Sequence, residues 1–149
     1  MKKINDLNID DDKKLKQFIV NIFRRASFKW SPRGNAKKRY KIQVGVFKTG
    51  NPKFGYWCAY CGEICKSGEV KMDHIDAVIN PITGFVGLDT YAYRMFCDEF
   101  SFCCLCENCH DIKSTKEREY RALFKIDRNQ PALEAEYLNW LKIYRWNNK

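Results

Sequence analysis

The chain has two histidines, and each stands beside residues suited to metal chemistry. His74 follows an aspartate in Lys71-Met72-Asp73-His74-Ile75, and His110 closes the run Cys106-Glu107-Asn108-Cys109-His110. A matching pair of thiols lies upstream in Cys58-Ala59-Tyr60-Cys61. The Cys-x-x-Cys spacing lets two thiolates bind one ion while backbone amides of the turn face the sulfurs. Two such pairs make a closed tetrahedral site, which is structural rather than catalytic. Cys58, Cys61, Cys106 and Cys109 are therefore expected to share one Zn²⁺. Binding of that kind supplies on the order of 10 kcal/mol of folding free energy. It pins together the ends of a long, polar intervening segment. A redox Cys-x-x-Cys would not need two pairs. Of the other thiols, Cys97, Cys103 and Cys104 read as small buried hydrophobes, and Cys65 is the one that could compete as a ligand.

Asp73, His74 and His110 point to a second centre of a different kind. A carboxylate is a hard ligand suited to Mg²⁺ or Mn²⁺. His74 is a candidate general base, because imidazole is largely neutral at working pH. His110 can offer an imidazole to the same ion as Asp73. An ion touching a phosphodiester polarises it and stabilises the departing oxygen. The chemistry these residues could perform together is phosphodiester hydrolysis.

The charge pattern names a matching substrate class. The net charge is +9, and residues 13–62 contain no Asp or Glu. That stretch holds thirteen cations, so the rest of the chain is net acidic. Such asymmetry is the footprint of a polyanion, whereas a merely solvated face mixes both signs. Arg24, Arg25, Lys37, Lys38 and Arg39 are the residues chosen for nucleic acid. The start is polar and charged, unlike a secretory signal. No run approaches the apolar length of a membrane span. The eight cysteines are thus read as reduced thiols in an intracellular compartment.

The elements that must position these residues follow from periodicity. Asp10-Asp11-Asp12 can cap a helix over about 11–26, with Leu15, Phe18, Ile19, Ile22 and Phe23 on its core face. Trp30 to Asn35 reads as a break, and Ala36 to Tyr40 as a short, very basic stretch. Ile42 to Phe47 is a strand or a loop, followed by a Gly50-Asn51-Pro52 turn. Val70 to Ile75 reads as a strand ending at the Asp-His pair, Leu88 to Phe96 as a short helix, and Ser101 to Leu105 as an apolar strand. A helix from Asn108 to about Phe124 carries His110 on its first turn. A last amphipathic helix, Pro131 to Trp146, has Leu133, Tyr137, Trp140, Leu141 and Tyr144 on one face. That face either packs back on the domain or, with Trp146, meets a partner. Trp30 and Tyr40 could stack on bases, with a core role favoured for Trp30.

Val70 to Ile75, together with Leu105-Cys106-Glu107-Asn108-Cys109-His110-Asp111-Ile112-Lys113-Ser114, resembles the two halves of an HNH endonuclease. The resemblance is to the ββα-metal type with an added four-cysteine zinc site, common in bacteriophage genomes. It extends over about residues 22–118, through Arg24 to Arg33 upstream and the Asn80 to Phe96 insert. It implies an α+β fold with a small zinc-stabilised ββα-metal, treble-clef-like core. To that core are added an N-terminal basic helix and a C-terminal amphipathic helix. It implies His74 as general base, Asp73 and His110 as ligands of a catalytic Mg²⁺ or Mn²⁺, and Lys113 beside the nucleic acid. Products would carry 5′-phosphate and 3′-hydroxyl ends. One position departs from the motif: Ser101 stands where the family has an Asn that braces the loop near the base, and serine offers fewer hydrogen bonds.

The organisation read from this is a basic arm over 1–53, a nuclease domain over 54–126 and a C-terminal helix over 127–149. The expected function is metal-dependent cleavage of DNA, by nicking or double-strand cutting. Two alternatives stay open: a zinc-ribbon nucleic-acid binding module without catalysis, and a structural subunit of a phage or mobile-element complex. The expected partner is DNA and not a membrane, with a homodimer or a larger assembly left open.

Overall fold

The computed structural model describes residues 12–146, with side chains to residue 142. Asp10 and Asp11, and the side chains of Tyr144 and Trp146, lie outside the described residues. Among the described residues the architecture is α+β, with five α-helices, a 3-10 turn at Glu99–Ser101 and two small antiparallel sheets.

Helix α1 spans Lys13–Ser27. Its start is fixed by Asp12, whose carboxylate accepts from the N–H of Lys14 and Leu15 at 2.9 and 3.0 Å. The face turned inward carries Leu15, Ile19, Val20, Phe23 and Ser27, whereas Phe18 and Ile22, expected in the core, are exposed. The expected stripe was centred one residue too far round, because the partner helix is short and covers a narrow face. Helix α2, Ser31–Arg39, starts directly after Trp30. The expected break at Trp30 to Asn35 is therefore a helix start, with Pro32 in the first turn, where a missing N–H costs nothing. Trp30 donates its indole N–H to the Cys97 carbonyl at 2.7 Å and packs edge-on against Phe96. Tyr40 is buried. Tyr40 thus belongs to the core, whereas Trp30 is fastened by these two contacts and stays 37% exposed.

The first sheet joins β1 (Lys41–Val46), β2 (Pro52–Trp57) and the two-residue β3 (Ile64–Cys65), in that spatial order. A bulge interrupts the β1–β2 ladder between Gln43 and Gly45. Gly55 is required on β2, since a Cβ there would meet Ile64 Cγ2 at 2.5 Å and Val44 Cγ1 at 3.1 Å.

The second sheet is a ribbon of β4 (Val70–His74) and β5 (Phe102–Cys106), paired from Val70↔Cys106 to His74↔Phe102. All five residues of β5 are buried, and α2 and β2 cover it. Helix α3, Leu88–Met95, lies between the strands in sequence and packs on α1 through Tyr91 and Met95. Helix α4, Glu107–Ile126, follows β5 without a connecting residue. Helix α5, Pro131–Trp146, packs back on α4, where Tyr120 and Phe124 meet Tyr137 and Leu141. The apolar face of α5 is thus consumed by the domain, as far as its side chains are described.

Phe124 is fully buried between α4 and α5. Phe124→Ala should cost about 3–5 kcal/mol. The measurement is a lowered urea midpoint at unchanged metal content.

Candidate functional site

The two Cys-x-x-Cys turns meet at one place. The sulfurs of Cys58, Cys61, Cys106 and Cys109 all lie within 4.8 Å of one another, with Cys61 and Cys106 at 3.9 Å. A tetrahedral ion with bonds of about 2.3 Å to sulfur sets its ligands about 3.8 Å apart. The cluster therefore fits an ion such as zinc, and Cys65 stands outside it.

Local backbone chemistry builds both turns. In the first, Gly62 returns its N–H to the Cys58 carbonyl at 2.9 Å, with φ at 78°, a conformation that glycine adopts without strain. Ala59 donates to the Cys104 carbonyl at 2.7 Å, which anchors the turn to β5. In the second, the Cys106 sulfur caps α4 by accepting from the Cys109 N–H at 3.5 Å.

The sulfurs are electrostatically unequal. Burial pushes the Cys58 thiol up, but the N–H groups of Cys61, Cys106 and Tyr60 outweigh it and hold it at about 7. Cys61 and Cys109 are pushed above the ordinary thiol range, by burial first and then by neighbouring thiols. Seating a dication would release the protons these thiols hold. Cys103 and Cys104 are raised to about 12 by burial and stay protonated.

The end of β4 forms the second part of the site. Burial alternates along the strand, so His74 turns toward α3 while Asp73 turns toward α4. His74 Nε2 lies 3.1 Å from the Met95 carbonyl oxygen. A carbonyl can only accept, so the imidazole proton sits on Nε2 and Nδ1 keeps its lone pair. Burial lowers the His74 pKa below 6.5, which keeps the ring neutral at neutral pH. His74 borders two cavities. One, of about 510 Å³, is also lined by Asn80, Arg94, Ser101, Tyr137 and Lys142. The other, of about 320 Å³, is reached by Arg24, Arg33 and Glu117.

Asp73 is held by an unexpected partner. Lys113, only 2% exposed, donates to Asp73 Oδ2 and to the His74 carbonyl, each at 2.8 Å, and pairs with Glu117 at 2.7 Å. Burial opposes its charge, and the two carboxylates outweigh that penalty, so its pKa is raised. Lys113 was expected on the nucleic acid, but the structure withdraws its ammonium from the surface to fasten α4 to β4. From the other side, Arg33 donates to the Met72 carbonyl at 2.8 Å. The Lys–Glu spacing of four residues on α4 signals the Lys113–Glu117 pair, but not the contact with Asp73.

Ser101 does not brace the base through its side chain, because its hydroxyl donates to Asp98 Oδ1 at 3.0 Å. Its carbonyl does contribute, accepting from the Ile75 N–H at 2.9 Å. His110 sits on the first turn of α4, partly exposed, with Nδ1 3.3 Å from Asp111 Oδ1. Among the described residues, no group of three or more His, Cys, Asp or Glu side chains other than the four cysteines gathers closely enough to hold an ion.

The basic residues divide. Arg24 donates to the Tyr91 hydroxyl at 3.2 Å, Lys37 to Ser67, and Arg39 to the Glu99 carbonyl at 2.9 Å. These contacts spend part of each donor set on the fold. Lys38 donates to Asn35 Oδ1 at 3.3 Å, and Arg24, Arg25, Lys38 and Arg39 are all exposed. No described helix is long and apolar enough to cross a membrane.

Comparison with family models, curated proteins and solved structures gave no match. What the geometry defines is an α+β domain with a four-cysteine cluster that could hold a metal ion.

Metal analysis of the purified chain should find one tightly held ion per chain, lost in Cys106→Ser and retained in Cys65→Ser. Lys113→Met leaves two partly buried carboxylates, Asp73 and Glu117, without their cation and should lower the denaturant midpoint. Adding Glu117→Met should restore part of that loss in denaturant titrations.

Proposed function

We propose that the chain is a metal-dependent DNA endonuclease of the HNH type, with β4, β5 and α4 as its ββα-metal unit. The observation that carries this reading is the placement of His74: a buried imidazole at the end of β4, its Nε2 on the Met95 carbonyl and its ring bordering two cavities. A histidine that served packing alone would not need to follow Asp73 on the strand aligned with the one leading into His110.

In this reading His74 Nδ1 takes a proton from a water as that water attacks the scissile phosphorus. The buried Nε2–H keeps the ring oriented while the charge on imidazole grows. Asp73 and His110 would hold the Mg²⁺ or Mn²⁺, and the donor set, a carboxylate oxygen and an imidazole, suits such an ion. When bound, the ion polarises the phosphate and stabilises the leaving oxygen. Lys113 occupies one Asp73 oxygen and leaves the other for this role. The four cysteines would hold Zn²⁺ and take no part in the reaction. The acid-free segment 13–62 supplies the field that gathers the DNA backbone.

A second reading, nucleic-acid binding without catalysis, draws on two observations. The Ser101 side chain is committed to Asp98, and Asp73 is already paired with an ammonium.

Supercoiled plasmid separates the two when incubated with Mg²⁺ or Mn²⁺ and wild-type or His74→Ala protein. Nicked or linear product from the wild type alone is expected. Binding by both proteins with cleavage by neither would favour the module. Equal cleavage by both would remove His74 as the base.

A further inference from the structure

The β1–β2 hairpin is the least buried part of the described fold. Every residue of β1 is exposed, and the hairpin presents Ile42, Val44, Val46, Phe47 and Phe54 to water, with Val46 64% and Phe47 53% exposed. Large apolar side chains gathered on one exposed hairpin mark an interaction surface, although Lys41 lies over the Phe54 ring at 3.8 Å. Its cations are Lys41, Lys48 and Lys53, and among the described residues none of them is engaged in an ion pair. No acidic residue lies anywhere between positions 13 and 62. An apolar protein partner would not call for such one-sided charge; a phosphate backbone does.

The shape narrows the choice further. β3 pairs only with Tyr56 and Trp57, at the base of the hairpin. Beyond that point the structure is a free two-stranded ribbon, closed by a tight turn in which Phe47 and Asn51 hydrogen-bond at 2.8 Å. Two paired strands are about 4.8 Å apart. The major groove of B-form DNA, about 12 Å wide, admits a ribbon of this kind. The corresponding groove of A-form RNA is too narrow for side chains to read.

From these observations we infer that the hairpin 41–57 is a DNA-reading element. It enters the major groove of duplex DNA with Lys48 and Lys53 on flanking phosphates, while Val46 and Phe47 meet base edges such as thymine methyl groups. This rests on the nucleic-acid part of the proposed function and assigns the contact to a different element from the basic residues of α2. The bulge between Gln43 and Gly45, and Lys41 on the strand itself, work against pairing of the open β1 edge with other chains.

The test is fluorescence anisotropy of the full chain on a short labelled DNA duplex, without added Mg²⁺ or Mn²⁺ so that cleavage does not intervene. Lys48→Ala/Lys53→Ala should weaken binding on the order of tenfold or more and make the slope of log affinity against log salt about two units shallower. Val46→Ser/Phe47→Ser should leave that slope unchanged and abolish the preference for duplex DNA over duplex RNA. All four side chains are exposed, and matching thermal melts will show that the variants fold. Wild-type affinity in the lysine variant, or equal wild-type affinity for RNA and DNA duplexes, overturns the assignment. So does a wild-type dimer, seen by light scattering, that Val46→Ser/Phe47→Ser dissociates without change in DNA affinity: the hairpin would then serve a second copy. If Lys37→Ala/Lys38→Ala abolishes DNA binding and the hairpin variants do not, the hairpin assignment falls while the nucleic-acid reading stands. If the wild type binds no nucleic acid, both fall.

Discussion

Everything in this domain is arranged about the meeting of two short turns far apart in sequence. Cys58 and Cys61 close one turn, Cys106 and Cys109 the other, and their sulfurs gather within 4.8 Å. The first turn hangs from β5 by the Ala59 amide, and the second is the start of α4. A shift in the cluster would therefore move β5 and α4 together. Because β5 is paired residue by residue with β4, the position of His74 follows from it as well. The cluster takes no direct part in chemistry at His74, but it fixes the frame in which that chemistry would occur.

Within that frame the last three residues of β4 are gripped from several directions. Arg33 from α2 donates to the Met72 carbonyl, Lys113 from α4 donates to Asp73 and the His74 carbonyl, and the Met95 carbonyl of α3 accepts from the imidazole Nε2–H. The Ser101 carbonyl takes the next amide, that of Ile75. The Ser101 side chain is spent on Asp98, and the end of β4 is held by backbone contacts and by a buried cation. Burying that cation is tolerable only because two carboxylates accompany it; on its own the desolvation penalty would be several kcal/mol.

The parts legible in the sequence were those with a local cause. The cysteine spacing announced the cluster, and the two strands of the β4–β5 ribbon and helices α1, α3, α4 and α5 were placed by periodicity and capping, with ends shifted by a residue or two. The parts that were not legible depend on distant partners. The start of α2 looked like a break because Pro32 and Gly34 are poor helix formers out of context; packing of Ala36 and Tyr40 against β5 overrides them. β2 and β3 carry no clean alternation, since one is exposed along its first half and covered along its second, and the other has two residues. Lys113 read as a surface cation because nothing in its own helix reveals Asp73 across from it.

The separation of the two turns also orders the birth of the domain. A ribosome delivers Cys58 and Cys61 well before Cys106 and Cys109, and until the latter emerge an ion has half its ligands. The acid-free segment 13–57 has been delivered by then, whereas β4 has no partner strand. The nascent chain thus presents its polycationic half to the cell first. Only the late arrival of β5 and the first turn of α4 lets His74 find its register, so any site built there comes into being after the surface that would recruit its substrate.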